Sequence, residues 1–176
     1  MWLSKFLSVE GVCVCTHEAT EFAGSASEFW TNGEHFANGR EFYGNSDSAN
    51  IFVLPALLAE MPMTRVIWVA RPVVEVAKSM KAAGMLCNEK ALRTLIDLRE
   101  KYWNMFDLMV GFRDLQHMEI CKGLWEFCLP GVPFDYGRWG RYANRRICYS
   151  KEQPFPRKNY DLFLPWVLRE LEEVSV

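Results

Sequence analysis

Arg71 and Ser79 are the residues whose types and spacing point most directly to chemistry. A guanidinium is a planar fork that matches the oxygens of a phosphate, and a serine hydroxyl adds one more donor. Both lie in the stretch RVIWVARPVVEVAKS, Arg65 to Ser79, where an uncharged run gives way to Arg71, Pro72 and a helical pattern. His17 and Glu18 follow a second hydrophobic run, VCVC. A carboxylate or imidazole so placed can take the proton of a reacting hydroxyl. Arg157 and Lys158 belong to a basic stretch that also holds Arg145, Arg146 and Lys151 against one acid, Glu152. Each has a plainer reading as well. Arg71 would cap a loop, Ser79 would sit on a helix flank, Glu18 would be a solvated acid, His17 a satisfied hydrogen-bonder, and the tail a solvated loop.

The elements that must position these residues are readable from periodicity. Val66 to Val69 is short, uncharged and rich in β-formers, which predicts a strand buried on both faces. Pro72 suits the first turn of a helix, and Val73, Val76, Ala77 and Met80 recur at helical spacing. Arg71 therefore falls between a strand and a helix N-terminus, where parallel α/β sheets bind anions and nucleotides. Upstream, Trp2, Leu3, Phe6 and Leu7 predict a helix that stops by Gly11, and Val12 to Cys15 a buried strand. From Ala19 to Asn50 the periodicity fades among glycines and aromatics, which predicts an irregular region, either an acceptor-binding segment or a loose cover.

Asp47 or Ser48 caps a helix through IFVLPALLAEMP, interrupted or restarted at Pro55. Asn88 caps a long helix whose core stripe holds Leu92, Leu95, Ile96, Tyr102, Trp103 and Phe106. Asp107 to Phe112 reads as another buried strand, Leu115 to Cys128 as a helix, and Asp135 as the cap of a short helix through Tyr142. Residues 142–160 form a basic loop, and Pro165 opens a last helix. Alternating buried runs and helical stripes give an α/β class: a parallel sheet flanked by helices in three layers.

At 176 residues and half hydrophobic, the chain is expected to be a single domain over 1–176 with ample core. A net charge of −2 gives no sign of a nucleic-acid partner. The six cysteines form no C-x-x-C pair, so they read as buried thiols in a reducing compartment and not as a disulfide frame or a zinc site. Lys5 and Glu10 interrupt any signal-like segment, and the run Ile51 to Ala59 is too short to span a bilayer. A soluble cytoplasmic protein with no membrane partner is expected, its oligomeric state unread.

The segment VIWVARPVVEVAKSM resembles the 3′-phosphate-binding segment of the P-loop sulfotransferase family, with an arginine after a hydrophobic strand and a serine eight positions on. MWLSKFLS resembles the helix after that family's phosphosulfate loop. FRDLQHMEICKGLWEFCLPGVPFDYGRW resembles the later part of bacterial and phage sulfotransferase-like proteins. The resemblance implies a P-loop NTPase/sulfotransferase-like fold and 3′-phosphoadenosine 5′-phosphosulfate as co-substrate, with no metal. The acceptor would be a hydroxyl or amine on a small molecule, glycan or protein. It implies that Arg71 and Ser79 hold the 3′-phosphate, that Glu18, or else His17, is the base, and that Arg157 and Lys158 close the nucleotide site without the family's following glycine, since Asn159 stands there. In that family a first strand lies in the middle of the sheet and ends in the phosphosulfate loop. Here Met1 stands where the loop's last residue would be, so an N-terminally truncated or degenerate domain is expected.

Overall fold

The computed structural model describes residues 2–17, 28, 37–82 and 89–143. These fall into two compact units, one within 3–64 and one within 65–143. The chain is mixed α/β, with small parallel sheets and helices.

In the first unit, helix α1 (Trp2–Leu7, of which Leu3 onward belongs to this unit) precedes strand β1 (Cys13–His17), which pairs in parallel with β2 (Phe42–Ser46). A 3₁₀ turn over Ser48–Phe52 then leads to α2 (Leu54–Glu60), with Pro55 in its first turn. There a missing N–H leaves no bond unmade. Phe6, Leu7, Cys13, Ile51, Val53, Leu54 and Leu57 are buried and form the apolar material of this unit. Strand β1 starts one residue later than VCVC suggests and runs on to His17.

Strand β2 corrects the expectation of an irregular region up to Asn50. The chain turns through left-handed Asn38 and Gly39, and Phe42 N–H then bonds to Val12 O at 3.1 Å to begin the ladder. Gly44 looks like loop punctuation, yet it is paired with Cys15, and a Cβ there would meet the Cys15 sulfur at 3.3 Å. The glycine makes room for a thiol inside a strand.

The outer edge of β1 is occupied by the chain itself. Val9 and Cys13 exchange two backbone bonds, 3.0 and 2.9 Å. Cys15 N–H donates to Ser8 Oγ at 3.0 Å, and the same hydroxyl lies 2.7 Å from Ser4 O and 3.1 Å from Cys15 O. Backbone groups that would otherwise face away from β2 unpaired are thus satisfied.

In the second unit β3 (Ile67–Ala70) runs into α3 (Val73–Ala82), and β4 (Leu108–Gly111) pairs with β3 in parallel. Asp107 closes the start of this ladder, its carboxylate accepting from Val66 N–H at 2.7 Å. All four β3 residues are only half-buried, so the expected strand buried on both faces is not found. A two-stranded ladder covers too little of either face, and Trp68 instead stacks on Phe106 at 5.3 Å.

Helix α4 spans Glu89–Lys101 and ends before the expected stripe does. Leu98 and Tyr102 are buried, but Trp103 sits in a 3₁₀ turn and is 68% exposed. Phe112–Gln116 is another 3₁₀ turn, carrying buried Leu115, and only then does α5 (Met118–Cys128) begin. Its buried face holds Cys121, Leu124 and Trp125. The loop beyond folds back on it through Gly131 at φ +82°, a left-handed turn that favours glycine. Trp125 N–H donates to Val132 O at 3.0 Å, and Phe134 packs edge-on between Trp125 and Tyr136. Helix α6 (Tyr136–Tyr142) starts as expected, with the Asp135 carboxylate accepting from Arg138 N–H at 2.7 Å.

Cys13 and Cys121 are buried, and Cys15 and Cys128 are half-buried. Burial pushes the Cys121 thiol up, and it donates to Leu115 O. No helix among the described residues is long and apolar enough to cross a membrane.

Candidate functional site

Arg71 is the first residue after β3, and Phe112 the first after β4; the residues before them, Ala70 and Gly111, are ladder partners. The register thus brings Arg71 and the turn Phe112–Gln116 together at the carboxyl edge of the pair. The Arg71 guanidinium lies over the Phe112 ring, 4.5 Å from its centre. That contact fixes the fork by cation–π attraction and by packing of its flat face.

Glu75, in the first turn of α3, reaches back toward the same edge. One carboxylate oxygen lies 3.6 Å from Arg71 Nε, too far for a hydrogen bond, and that N–H has no hydrogen-bond partner. The other oxygen accepts directly from Arg113, in the turn after β4. The Arg113 hydrogen bond is the main reason the Glu75 carboxyl is held below its usual value; desolvation opposes it, and the nearby Arg113 and Arg71 guanidiniums add smaller downward pulls. Asp114 tucks its carboxylate over Gly111, where any Cβ would collide with it. Two guanidinium groups, the carboxylates of Glu75 and Asp114 and one aromatic face therefore lie where a parallel pair opens toward the start of α3 and a 3₁₀ turn. The arrangement can hold an oxoanion: one arginine is locked by a ring and the other, 74% exposed, is able to swing.

Ser79 lies two turns into α3. Glu18, Arg157 and Lys158 lie outside the described residues, as do Asn88 and the helix expected after Pro165. His17 is the last residue of β1, at the carboxyl end of the other pair. Its Nδ1 donates to Ser46 O at 2.6 Å, the last residue of β2, which fixes the ring's tautomer and direction. Beside it, Thr16 Oγ1 lies 3.1 Å from Tyr43 OH and 3.3 Å from both Gly44 O and Asn45 Oδ1. Asn45 in turn donates to Asn50 at 3.2 Å. Burial raises the Tyr43 phenol, the Thr16 bond draws it partly back, and Cys15 adds a smaller upward push.

Arg113, Glu75 and Phe112 escape a reading by motif. Arg113 is 42 residues beyond Arg71 and reaches it only through strand pairing. Glu75 carried a signal, since Arg71 and Glu75 have the i, i+4 spacing that brings side chains together at a helix start. No protein-family model matches the chain, and no curated protein or solved structure is significantly similar to it.

Proposed function

We propose that the carboxyl edge of β3 and β4 grips the 3′-phosphate of 3′-phosphoadenosine 5′-phosphosulfate, on a P-loop sulfotransferase-like scaffold. The observation that carries this reading is Arg71, set directly between a parallel strand and the helix Val73–Ala82, with its guanidinium braced on Phe112. In this reading Arg71 is the main anchor, and Ser79 adds a donor. Glu18 takes the acceptor's proton, with His17 as the alternative base, and Arg157 and Lys158 cover the nucleotide. The sulfuryl group passes to a hydroxyl or amine, and rate comes from positioning and from donors facing the developing charge. The protein acts in the cytoplasm in this reading.

A second reading has a specific observation in its favour. The described strands make two separate two-stranded ladders, and the outer edge of β1 is closed by Val9 and Ser8. The described strand-to-helix connections, after Ser46, Ala70 and Gly111, contain no glycine-rich loop. The resembled family holds its 5′-phosphosulfate on such a loop, at the end of a middle strand. A non-catalytic nucleotide-binding or interaction domain fits these features and keeps Arg71.

Calorimetry with 3′,5′-adenosine bisphosphate tests both readings together. Weak but measurable binding is expected, and Arg71→Ala should remove about 1.5–3 kcal/mol of it. Unchanged binding by that variant would end the assignment. Turnover with labelled donor then separates the two: the enzyme reading requires transfer that Glu18→Gln abolishes while binding persists.

A further inference from the structure

We propose that Glu75 is an internal anion seated between Arg71 and Arg113, and that an external oxoanion binds by displacing it, with Arg113 as the second cationic contact. The proposal rests on the reading of Arg71 as an anion anchor and says how that site is regulated.

The geometry is that of a bound anion supplied by the chain itself. Each Glu75 oxygen faces a different guanidinium, Oε1 toward Arg113 and Oε2 toward Arg71. One negative charge is shared by two positive ones, so the trio itself keeps a net charge of +1, with the Asp114 carboxylate over Gly111 a further acid at the same edge. The fit is also incomplete, because Arg71 N–H at Nε stays without a hydrogen bond while Glu75 Oε2 stands 3.6 Å away. A carboxylate has two oxygens in one plane. A phosphate or sulfate group presents three in a tripod and can carry a second charge, so it can reach both forks at bonding distance.

Exchange needs little rearrangement. Arg71 is fixed by the Phe112 ring and not by Glu75 alone, so its fork stays in place when the carboxylate leaves. Glu75 and Arg113 are both in contact with solvent, 26% and 74% exposed, so each can rotate into water. The competitor is tethered one helical turn from Arg71, which gives it a high effective concentration against any free anion. Such a site binds weakly as it stands and more tightly once the competing charge is gone.

The test is titration with inorganic sulfate at low ionic strength, followed by calorimetry, on the native chain and on Glu75→Gln, Glu75→Ala and Arg113→Gln. Removing a unit charge at about 4 Å from the anion should tighten sulfate binding about five-fold or more in both Glu75 variants. Arg113→Gln should weaken it by a similar factor. Equal or weaker binding by both Glu75 variants overturns the proposal and makes Glu75 a strut that orients Arg71. The anchor reading survives that result if the native chain binds 3′,5′-adenosine bisphosphate and Arg71→Ala does not. If neither native chain nor variants bind sulfate or bisphosphate, both fall.

Discussion

At the carboxyl end of β3 and β4 the side chains that meet are ionic: Arg71, Arg113 and Glu75 around the Phe112 ring. Toward the carboxyl end of β1 and β2 they are Thr16, His17 and Asn45, joined by hydrogen bonds, with the Tyr43 hydroxyl reaching Thr16 from the start of β2. The backbone frame is the same in both, a parallel two-stranded ladder opening toward a following turn. Hydrogen bonds to backbone carbonyls lock the second cluster, whereas the first is held by charges that water and salt can reach. Parallel pairing thus gathers residues without deciding what they do. The ionic character of the first pair comes from two arginines delivered by separate turns.

The sharpest way to break this comparison is to remove core from the unit that carries one pair. Trp125 is 1% exposed and its indole holds the Val132 carbonyl. Trp125→Ala should cost about 3–5 kcal/mol. Amide hydrogen exchange should then show β3, β4 and α5 losing protection while β1 and β2 keep theirs. Equal loss in both pairs would show that they rest on one shared core.

Ser8→Ala is expected to cost less, about 1–3 kcal/mol, because it strands the Cys15 N–H that Ser8 Oγ now satisfies. The loss should appear first as faster exchange at Cys15. Unaltered exchange there would mean that water replaces the hydroxyl, and that the closed edge of β1 contributes little.

Much of the local structure was legible because it depends on neighbours in sequence. The Asp135 cap, the strand-Arg-Pro-helix passage at Arg71 and the helix over Met118–Cys128 all follow from short-range patterns. Strand β2 was not legible, because Gly44 and Asn45 are poor strand formers and what makes them a strand is Cys15 and Thr16 across the ladder. Trp103 misleads for a related reason: the helical period continues through it, but the helix ends at Lys101 and the indole faces solvent. The site itself was half legible. Arg71 announces itself by its position, whereas Arg113 belongs to the site only because Ala70 pairs with Gly111.

The two clusters should also fail at opposite ends of the pH scale. Tyr43 has a phenol raised mainly by burial, so its contribution is complete below the ordinary tyrosine value and is lost as pH climbs through the raised one. Tyr43→Phe should flatten that alkaline loss, and denaturant titrations between about pH 8 and 11 would measure it. A native alkaline limb that survives the substitution would assign the loss to other groups.

The smallest effect is expected from Glu75 on the acid side. Its carboxyl is held low chiefly by the Arg113 hydrogen bond, so the folded chain binds that proton less readily than the unfolded chain does. The stabilisation is then present above the ordinary glutamate value and fades as pH falls through the depressed one. Denaturation midpoints at about pH 7, 5, 4 and 3 should show native and Glu75→Gln proteins diverging at the upper values and converging at the lowest. The gap should be small, and about 1 M salt should shrink it further, because both partners are reached by solvent. A gap that persists at acid pH and in salt would mean that Glu75 acts through packing at the start of α3. The ionic character of the β3–β4 edge would then have to rest on Arg71 and Arg113 alone.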